Sequence, residues 1–523
     1  MKNSILVSFY CLLTFPFFAQ NTQIDVKHYQ IQLAVSDKND ILQLNEEIHL
    51  VCLQKTNQVV LDLTAKNSTG KGMAVKKVFH NKQAVRFHQM EEQLVIEVFQ
   101  MEEGLEYVFS IELEGIPTDG LVIGKNKFNQ RTFFGDNWPN RAHNWFACND
   151  HPSDKATIAY EVEVPSHYQV IANGLLESKI EAPSDKGRMI YRYATKIPLP
   201  TKVCVVGIAA FEVENIENEV MQLSSWVYPE NKKEGFYDFQ LAPKILAFYT
   251  EYIGKYPYEK LANVQSTTRF GGMENASCIF YDENAINGKR TCEALMAHEI
   301  AHQWFGNCVT EKDWPHIWLS EGFATYFTNL YLQQSKGEQV FDEQMKRDRA
   351  KALNFSKKYQ HPVVDSTYTD LMDLLNPHSY QKGAWVLHQL RNEIGDSSFQ
   401  KTIKTYYNLF QNGNANSADF ERIASTVSGK DLHQFFYQWL RVAEHPKLKV
   451  VILNEQGEIQ LQQVQTQLFE FPISLLIEYE DGTTKMYHNR FEANKSGIFI
   501  KVPKKVKAVK LDPNVDLFFE EVN

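Results

Sequence analysis

The chain has 523 residues, of which 43 % are hydrophobic and 13 % aromatic. This composition is typical of a well-packed protein of about three domains and excludes an intrinsically disordered chain. The formal net charge of −10 argues against nucleic acid as a partner, and no cluster of Lys and Arg is rich enough to bind a membrane surface.

The first predicted element is a secretory signal peptide over residues 1–19. Lys2 provides a basic start, a short apolar run follows, and Ala19 is the small residue after which we expect cleavage. A membrane anchor is the alternative, but the run is shorter than the ~20 residues that a span needs and contains Pro16. No later segment reads as a membrane span. We therefore predict an exported protein, in the periplasm, at the cell surface or outside the cell.

Three regions follow, and the period of their apolar residues distinguishes them. Residues 20–212 alternate apolar and polar side chains in short runs, which predicts an N-terminal all-β domain. Residues 213–445 show helical spacing instead, and alternation returns over residues 446–523, which predicts a C-terminal β-sandwich. The predicted fold class is multidomain α+β. The predicted helices of the middle region are 238–252, 294–305, 322–334, 383–393 and 399–410.

The middle region contains a predicted metal site. His298 and His302 are four residues apart, so on a helix both imidazoles lie on one face and can bind one ion. Glu299 lies roughly a hundred degrees around the same helix and is left free as a base. Glu321 opens the next predicted helix and supplies a third ligand. Two imidazoles and a carboxylate leave one tetrahedral zinc ion per chain with a position open for water, which is the catalytic arrangement.

This donor set predicts hydrolysis. Zinc lowers the pKa of bound water towards about 7, Glu299 takes the proton, and the hydroxide attacks a carbonyl that the metal polarises. The alternative is a chance pentapeptide on a solvated helix face. Apolar residues on both sides of the motif predict a buried helix, where an unpaired carboxylate costs several kcal/mol, so metal binding is favoured.

A glycine pair upstream predicts a substrate-binding segment. Paired glycines allow the backbone to approach a bound chain closely, so the segment is predicted as an edge strand along a peptide, with its carboxylate facing what is bound. The alternative is a turn with a solvated acid. The predicted substrate-binding residues are Gly271, Gly272, Met273, Glu274 and Asn275.

The motifs H-E-I-A-H-Q-W-F-G-N, W-L-S-E-G-F-A-T-Y and G-G-M-E-N together resemble those of the aminopeptidase N family, gluzincin zinc metallopeptidases that include leukotriene hydrolase. The resemblance implies a thermolysin-like catalytic domain in which Glu274 captures the free α-amino group of a peptide. A carboxylate near the metal favours binding of a terminal ammonium over any internal group of a peptide, as an exopeptidase requires. Residues 379–384 resemble the family's Y-x-K-G segment, which implies that Tyr380 stabilises the tetrahedral intermediate.

The chain departs from the family pattern in three places. Where relatives often carry Gln or Glu for the substrate amine, it has Asp136 and Trp138, which leaves Asp136 or Asn137 as the candidate second amine contact. Thr328 stands where many relatives place an acid that orients a metal-binding histidine. The chain also ends before the large helical domain that many relatives append, which predicts a more open cleft.

The predicted function is an exported zinc aminopeptidase acting on peptides with a free N-terminus. One alternative is an epoxide hydrolase activity, since leukotriene hydrolase shares these motifs; an exported enzyme with an open cleft is better placed to meet peptides. The other alternative is a catalytically inactive peptide-binding scaffold. Such a scaffold is expected to have lost a metal ligand, Glu299 or Tyr380, and all of them are present.

Overall fold

A computed structural model describes residues 21–183, 185–218, 221–454 and 457–522. The predicted signal peptide and its cleavage site at Ala19 lie outside the described residues. Over the described ranges, no helix has the length and apolar character needed to cross a membrane. Strands at both ends of the chain flank a helical middle, so the mixed α+β class is confirmed. Buried apolar side chains of all three regions form one continuous core.

The N-terminal region consists of strands and short connecting turns. Along Leu42–Cys52 and Lys155–Pro165, buried residues alternate with partly or fully exposed ones, which gives each of these strands one apolar face. The described strands are β1 (Ile24–Ala34), β2 (Leu42–Cys52), β3 (Thr56–Asp62), β4 (Gly72–His80), β5 (Gln83–Ala84), β6 (Phe87–Gln89), β7 (Gln93–Met101), β8 (Glu106–Ile116), β9 (Leu121–Lys125), β10 (Arg131–Gly135), β11 (Lys155–Pro165), β12 (Gln169–Ala172), β13 (Leu175–Ala182), β14 (Asp185–Ala194), β15 (Leu199–Pro200) and β16 (Val206–Ala209).

These strands form three sheets. The largest has the order β13-β14-β11-β1-β2-β8-β4-β5, with β15 paired to β11, and β1 runs parallel to β11 and antiparallel to β2. A four-stranded sheet has the order β12-β16-β10-β9, and a three-stranded sheet the order β3-β7-β6. The first residue of β11 and the turn after β15 face the middle region, where they contact the candidate site described below.

The middle region packs helices against a five-stranded sheet of order β17-β18-β19-β21-β20, in which β20 is an edge strand. Its elements are β17 (Glu212–Ile216), β18 (Gln222–Val227), α1 (Lys232–Phe239), α2 (Ala242–Tyr252), β19 (Lys260–Ser266), β20 (Gly272–Met273), β21 (Cys278–Asp282), α3 (Glu293–His302), β22 (Thr310–Glu311), α4 (Trp318–Lys336), α5 (Glu338–Ser356), α6 (Gly383–Ile394), α7 (Asp396–Phe410), β23 (Asn414–Ala415), α8 (Ser417–Ser428) and α9 (His433–Phe436). The sheet thus begins at Glu212, one residue inside the range predicted for the N-terminal domain.

Some predicted helices differ from the observed ones. The helix predicted over 238–252 is confirmed from Ala242 to Tyr252, but its predicted start is too early: α1 ends at Phe239 and α2 begins at Ala242, with Pro243 in its first turn, where a missing N–H is tolerated. Helix α4 begins at Trp318, before the run 322–334 in which helical spacing is clearest, and so includes Glu321 in its first turn as predicted. Helix α5 was not predicted, because its few buried apolar residues are scattered among charged ones.

The C-terminal region returns to strands in two sheets. One has the order β28-β25-β24-β30 and the other the order β27-β26-β29. The alternating burial along β25 and β26 directs one face of each sheet inward. The strands are β24 (Lys447–Asn454), β25 (Glu458–Gln463), β26 (Phe471–Tyr479), β27 (Thr484–Phe491), β28 (Gly497–Lys501), β29 (Val506–Leu511) and β30 (Glu520–Glu521).

Candidate active site

The three predicted metal ligands meet between α3 and α4. The Nε2 atoms of His298 and His302 lie 3.1 Å apart, and Glu321 Oε2 lies 3.4 Å from the first and 3.3 Å from the second. These three residues are the one group of His, Cys, Asp or Glu in the described part of the chain whose ligand atoms could hold a metal ion, all within 4.8 Å of one another. Two imidazoles and one carboxylate form a donor set suited to zinc.

The burial of this group supports a bound cation. His302 and Glu321 are almost completely buried, and Glu321 Oε2 has no hydrogen-bond partner. A buried carboxylate oxygen without a donor is costly unless a cation compensates it. The residues present therefore fit a divalent metal ion.

Helix α3 also carries Glu299 into the same space. Burial raises the pKa of the Glu299 carboxyl well above its usual value, and the negative charges of Glu274 and Glu321 add to the rise, while His302 opposes it. The carboxylate packs against the bare backbone of Gly272, where a Cβ atom would overlap it. Gly272, the second glycine of the pair, therefore leaves space for the carboxylate of Glu299, the predicted base, and is not there to form a turn.

The edge strand β20 leads into Glu274, which is buried and has an unpartnered Oε1 atom. Its backbone carbonyl accepts hydrogen bonds from Gln303 Nε2 at 2.8 Å and Asn307 Nδ2 at 2.6 Å. Gln303 Oε1 accepts a third bond from the Ser277 N–H at 2.8 Å. The residues that follow α3 thus hold the substrate-binding segment in place. Burial raises the pKa of Glu274, and the positive charges of His302 and Lys202 oppose the rise.

Tyr380 lies in a π-helical turn, His378–Lys382, that leads into α6. Its ring stacks on that of His298, with centroids 6.0 Å apart and planes inclined by 12°. The turn approaches α4 closely because Gly322 and Gly383 face each other, and a Cβ atom on Gly322 would lie 2.9 Å from the Gly383 carbonyl carbon. Burial raises the pKa of Tyr380, so the phenol is protonated at neutral pH and can donate a hydrogen bond.

The two candidates for a second amine contact lie in the junction with the N-terminal region. Both are fully buried. Asn137 donates to the carbonyls of Thr201 and Cys204 and accepts from Trp145 Nε1. Asp136 pairs with Arg141. These contacts give both side chains partners within the junction.

Thr328 does not contact a metal-binding histidine. Its hydroxyl donates to the Ala324 carbonyl at 2.8 Å on its own helix. The Nδ1 atom of His302 instead lies 3.1 Å from the Phe305 carbonyl and 3.1 Å from Ser320 Oγ. Sequence reasoning did not single out Ser320, although it directly precedes the ligand Glu321.

Two lysines of the N-terminal region, the partly buried Lys155 and the buried Lys202, were also missed. Lys155 Nζ donates to the carbonyls of Asn307, Cys308 and Gly413 at 3.2, 2.9 and 2.8 Å. Lys202 forms an ion pair with Glu311 in which both side chains are almost fully buried. No pattern in the sequence indicated what either lysine contacts.

Two family models match the chain. The model described as Peptidase family M1 domain matches residues 237–439, and the model described as Peptidase M1 N-terminal domain matches residues 25–203. The first range contains the three predicted metal ligands, Glu299, Glu274 and Tyr380. The second contains Asp136, Lys155 and Lys202.

Several proteins are similar in sequence. "Probable aminopeptidase 1" of Saccharolobus solfataricus is 27 % identical over 404 residues, covering 72 % of this chain and 50 % of that protein. "Tricorn protease-interacting factor F2" of Thermoplasma volcanium is 31 % identical over 387 residues, covering 68 % and 48 %. "Glutamyl aminopeptidase" of Homo sapiens is 27 % identical over 331 residues, covering 60 % and 34 %. The chain spans about half the length of the curated relatives that it matches first.

Proposed function

The chain belongs to the peptidase M1 family, the aminopeptidase N group of gluzincin metallopeptidases, and on that premise we propose that it is an exported zinc aminopeptidase. It removes the N-terminal residue from peptides with a free α-amino group. The observation that carries the proposal is the meeting of His298, His302 and Glu321 beside Glu299, with Glu274 directly after the adjoining edge strand.

The donor set, its burial and the family all support zinc as the metal. His298, His302 and Glu321 would hold it. When bound, zinc supplies Lewis-acid activation of a carbonyl group and of water.

Glu299 acts as the general base. Burial raises the pKa of its carboxyl group, which makes the carboxylate a stronger proton acceptor. A carboxylate oxygen of Glu299 accepts the proton of the attacking water and delivers it to the departing amine. Tyr380, protonated at neutral pH, donates a hydrogen bond to the carbonyl oxygen as negative charge develops there.

Glu274 selects the chain end. Its buried Oε1 atom lacks a hydrogen-bond donor, and a substrate ammonium would provide one with the opposite charge. A neutral internal amide would leave the carboxylate without a counter-charge in a buried site, which is costly. This asymmetry supports an exopeptidase.

The metal assignment is tested with variants that distinguish a metal ligand from the general base. We expect one zinc ion per chain in the purified protein and loss of peptide hydrolysis with a zinc chelator. Glu321→Ala should lose both metal and activity, whereas Glu299→Gln should keep the metal and lose at least about a hundredfold in turnover. An empty metal site in Glu299→Gln would contradict the division of roles.

The exopeptidase assignment is tested with two enzymes and two substrates. N-acetylation should reduce cleavage by about a hundredfold, because the ammonium bond to Glu274 is lost. Glu274→Ala should be slow on free-amine substrates and discriminate much less, and the four rates isolate the coupling between carboxylate and amine. Efficient cleavage of acetylated peptides by the native enzyme would leave only a zinc endopeptidase.

Export rests on the pattern of residues 1–19. Expression with the native N-terminus in an exporting host should yield a mature protein that begins at Gln20. N-terminal sequencing checks this, and a mature chain that keeps Met1 would contradict it.

For the C-terminal region we propose a β-sandwich. The alternating burial along β25 and β26 supports packing of the two sheets through their apolar faces. A crystal structure in which those faces pointed away from each other would contradict this arrangement.

A further inference from the structure

The two metal-binding histidines are held in different ways. His302 Nδ1 has two polar neighbours, the Phe305 carbonyl and the Ser320 hydroxyl, each at 3.1 Å. Among the described residues, none forms a hydrogen bond with Nδ1 of His298, whose ring instead stacks on Tyr380. One imidazole is therefore oriented by hydrogen bonds and the other by ring packing.

The neighbours of His302 determine its tautomer. A backbone carbonyl can only accept, so the hydrogen between Nδ1 and the Phe305 oxygen must lie on Nδ1. In the neutral imidazole, Nε2 then keeps its lone pair, which faces Nε2 of His298 and the carboxylate of Glu321. Because Nδ1–H already donates to the Phe305 carbonyl, the Ser320 oxygen is a second acceptor for the same hydrogen. This is the tautomer that a metal ion requires of a histidine ligand.

The chain makes specific room for the Ser320 hydroxyl. Gly306, with a φ of +105°, turns the chain out of α3, and a Cβ atom there would overlap Ser320 Oγ. Ser320 directly precedes Glu321 on α4, so one turn of helix delivers both the third ligand and the neighbour of the second. Thr328 contributes nothing to this contact, because its hydroxyl bonds to its own helix.

We propose that Ser320 is a positioning residue for the metal centre, which holds the His302 ring in its metal-binding orientation with a neutral hydroxyl. This inference rests on the proposed zinc function. Partners of this kind typically change metal affinity by about 10–100-fold when they are removed.

Zinc affinity is the direct readout. Competition with a chromophoric chelator on the folded, metal-free protein should show Ser320→Ala binding zinc about tenfold or more weakly than the native chain. Ser356→Ala is the matched control, because Ser356 is also buried and its Oγ lies 2.8 Å from Nε2 of a histidine, His378, outside the metal centre. That control should bind zinc within about twofold of the native chain.

A second pair of variants separates the hydroxyl from packing. Ser320→Thr and Ser320→Val introduce side chains of the same shape, and only the first keeps the hydroxyl. Ser320→Thr should bind zinc about tenfold more tightly than Ser320→Val, whatever strain the added methyl group introduces at both.

Each outcome decides between named possibilities. Equal affinities of the Thr and Val variants, or equal losses in Ser320→Ala and Ser356→Ala, would overturn the role of the Ser320 hydroxyl and leave the Phe305 carbonyl as the orienting group. A native chain that binds no zinc at all would overturn the proposed function as well. Zinc binding by the native chain without dependence on Ser320 would overturn only this inference.

Discussion

His298, His302 and Glu321 come from two neighbouring helices, α3 and α4, and their ligand atoms meet within 4.8 Å in the middle region alone. Glu274, by contrast, follows a two-residue edge strand that is held by residues after α3, and Lys155 fixes that same segment after α3 from the N-terminal region. The proposed metal-binding half of the site is thus a local structure, whereas the proposed amine-binding half depends on a junction between two regions.

This difference separates two kinds of mutation. Changes in the metal-binding half should alter the chemistry most, because its residues are proposed to hold the metal ion or to act on the carbonyl group. Changes in the junction should alter stability and the position of Glu274 while zinc remains bound. The predictions below test that separation, from the largest expected effect to the smallest.

The largest effect is expected at the buried ion pair of the junction. Lys202→Met leaves the carboxylate of Glu311 buried without its counter-charge, which should destabilise the protein by about 3–5 kcal/mol in denaturant unfolding. The double variant Lys202→Met/Glu311→Met should recover most of that loss, because no charge remains uncompensated. If Lys202→Met were as stable as the native chain, the junction would tolerate the uncompensated charge of Glu311.

The metal-binding half is tested next with Tyr380→Phe. Turnover should fall by roughly two to three orders of magnitude with substrate affinity nearly unchanged, because the phenol acts only when charge develops on the carbonyl oxygen. Tyr326→Phe is the control: it removes a buried hydroxyl of α4 whose partner is His388, outside the metal centre. Steady-state kinetics of both variants check the prediction. If Tyr380→Phe turned over as fast as Tyr326→Phe, Tyr380 would have only a packing role.

The same contrast explains what the sequence could predict. The helix carrying His298 and His302 was predicted because its signal is local, a four-residue spacing within an apolar run; the observed α3 ends at His302, three residues earlier than predicted. Gly322 and Gly383 lie far apart in the sequence, and their contact, which brings Tyr380 to the site, follows from tertiary packing alone.

The junction was not predictable in the same way. Lys155 and Lys202 lie in a β region where a lysine ordinarily indicates a solvated face, and their acceptors are more than one hundred positions away. A buried lysine is recognisable only from the carbonyl and carboxylate groups that surround it.

A third prediction tests the contact between the two halves. Gly272→Ala would place a methyl group against the Glu299 carboxylate and displace the base, so turnover should fall by roughly ten- to a hundredfold, the scale of a base moved by about 1 Å. Gly271→Ala is the comparison, because its methyl group would lie 3.8 Å from Leu295 Cδ1, and it should cost much less. If both variants lost turnover equally, the effect would come from a disturbed β20 and its flanking residues rather than from a displaced Glu299.

The smallest effect at neutral pH is expected for Lys155→Met. The variant removes a donor to three carbonyls, but two of them keep another donor, because Thr310 bonds Asn307 through its hydroxyl and Gly413 through its N–H. The methionine also relieves the cost of a buried ammonium, so the net change in unfolding free energy should be about 1 kcal/mol or less near pH 7.

Raising the pH should separate the native chain from this variant. Burial lowers the pKa of the Lys155 ammonium to about 7, from an ordinary value of 10.5. Between these values the unfolded chain binds more protons than the folded one, so the stability of the native chain rises with pH through this window, and that of Lys155→Met lacks the contribution. Denaturant unfolding of both proteins at pH 7 and pH 10 measures the difference. A difference independent of pH would mean that the three carbonyls keep Lys155 protonated throughout, and the junction would then hold a permanent positive charge.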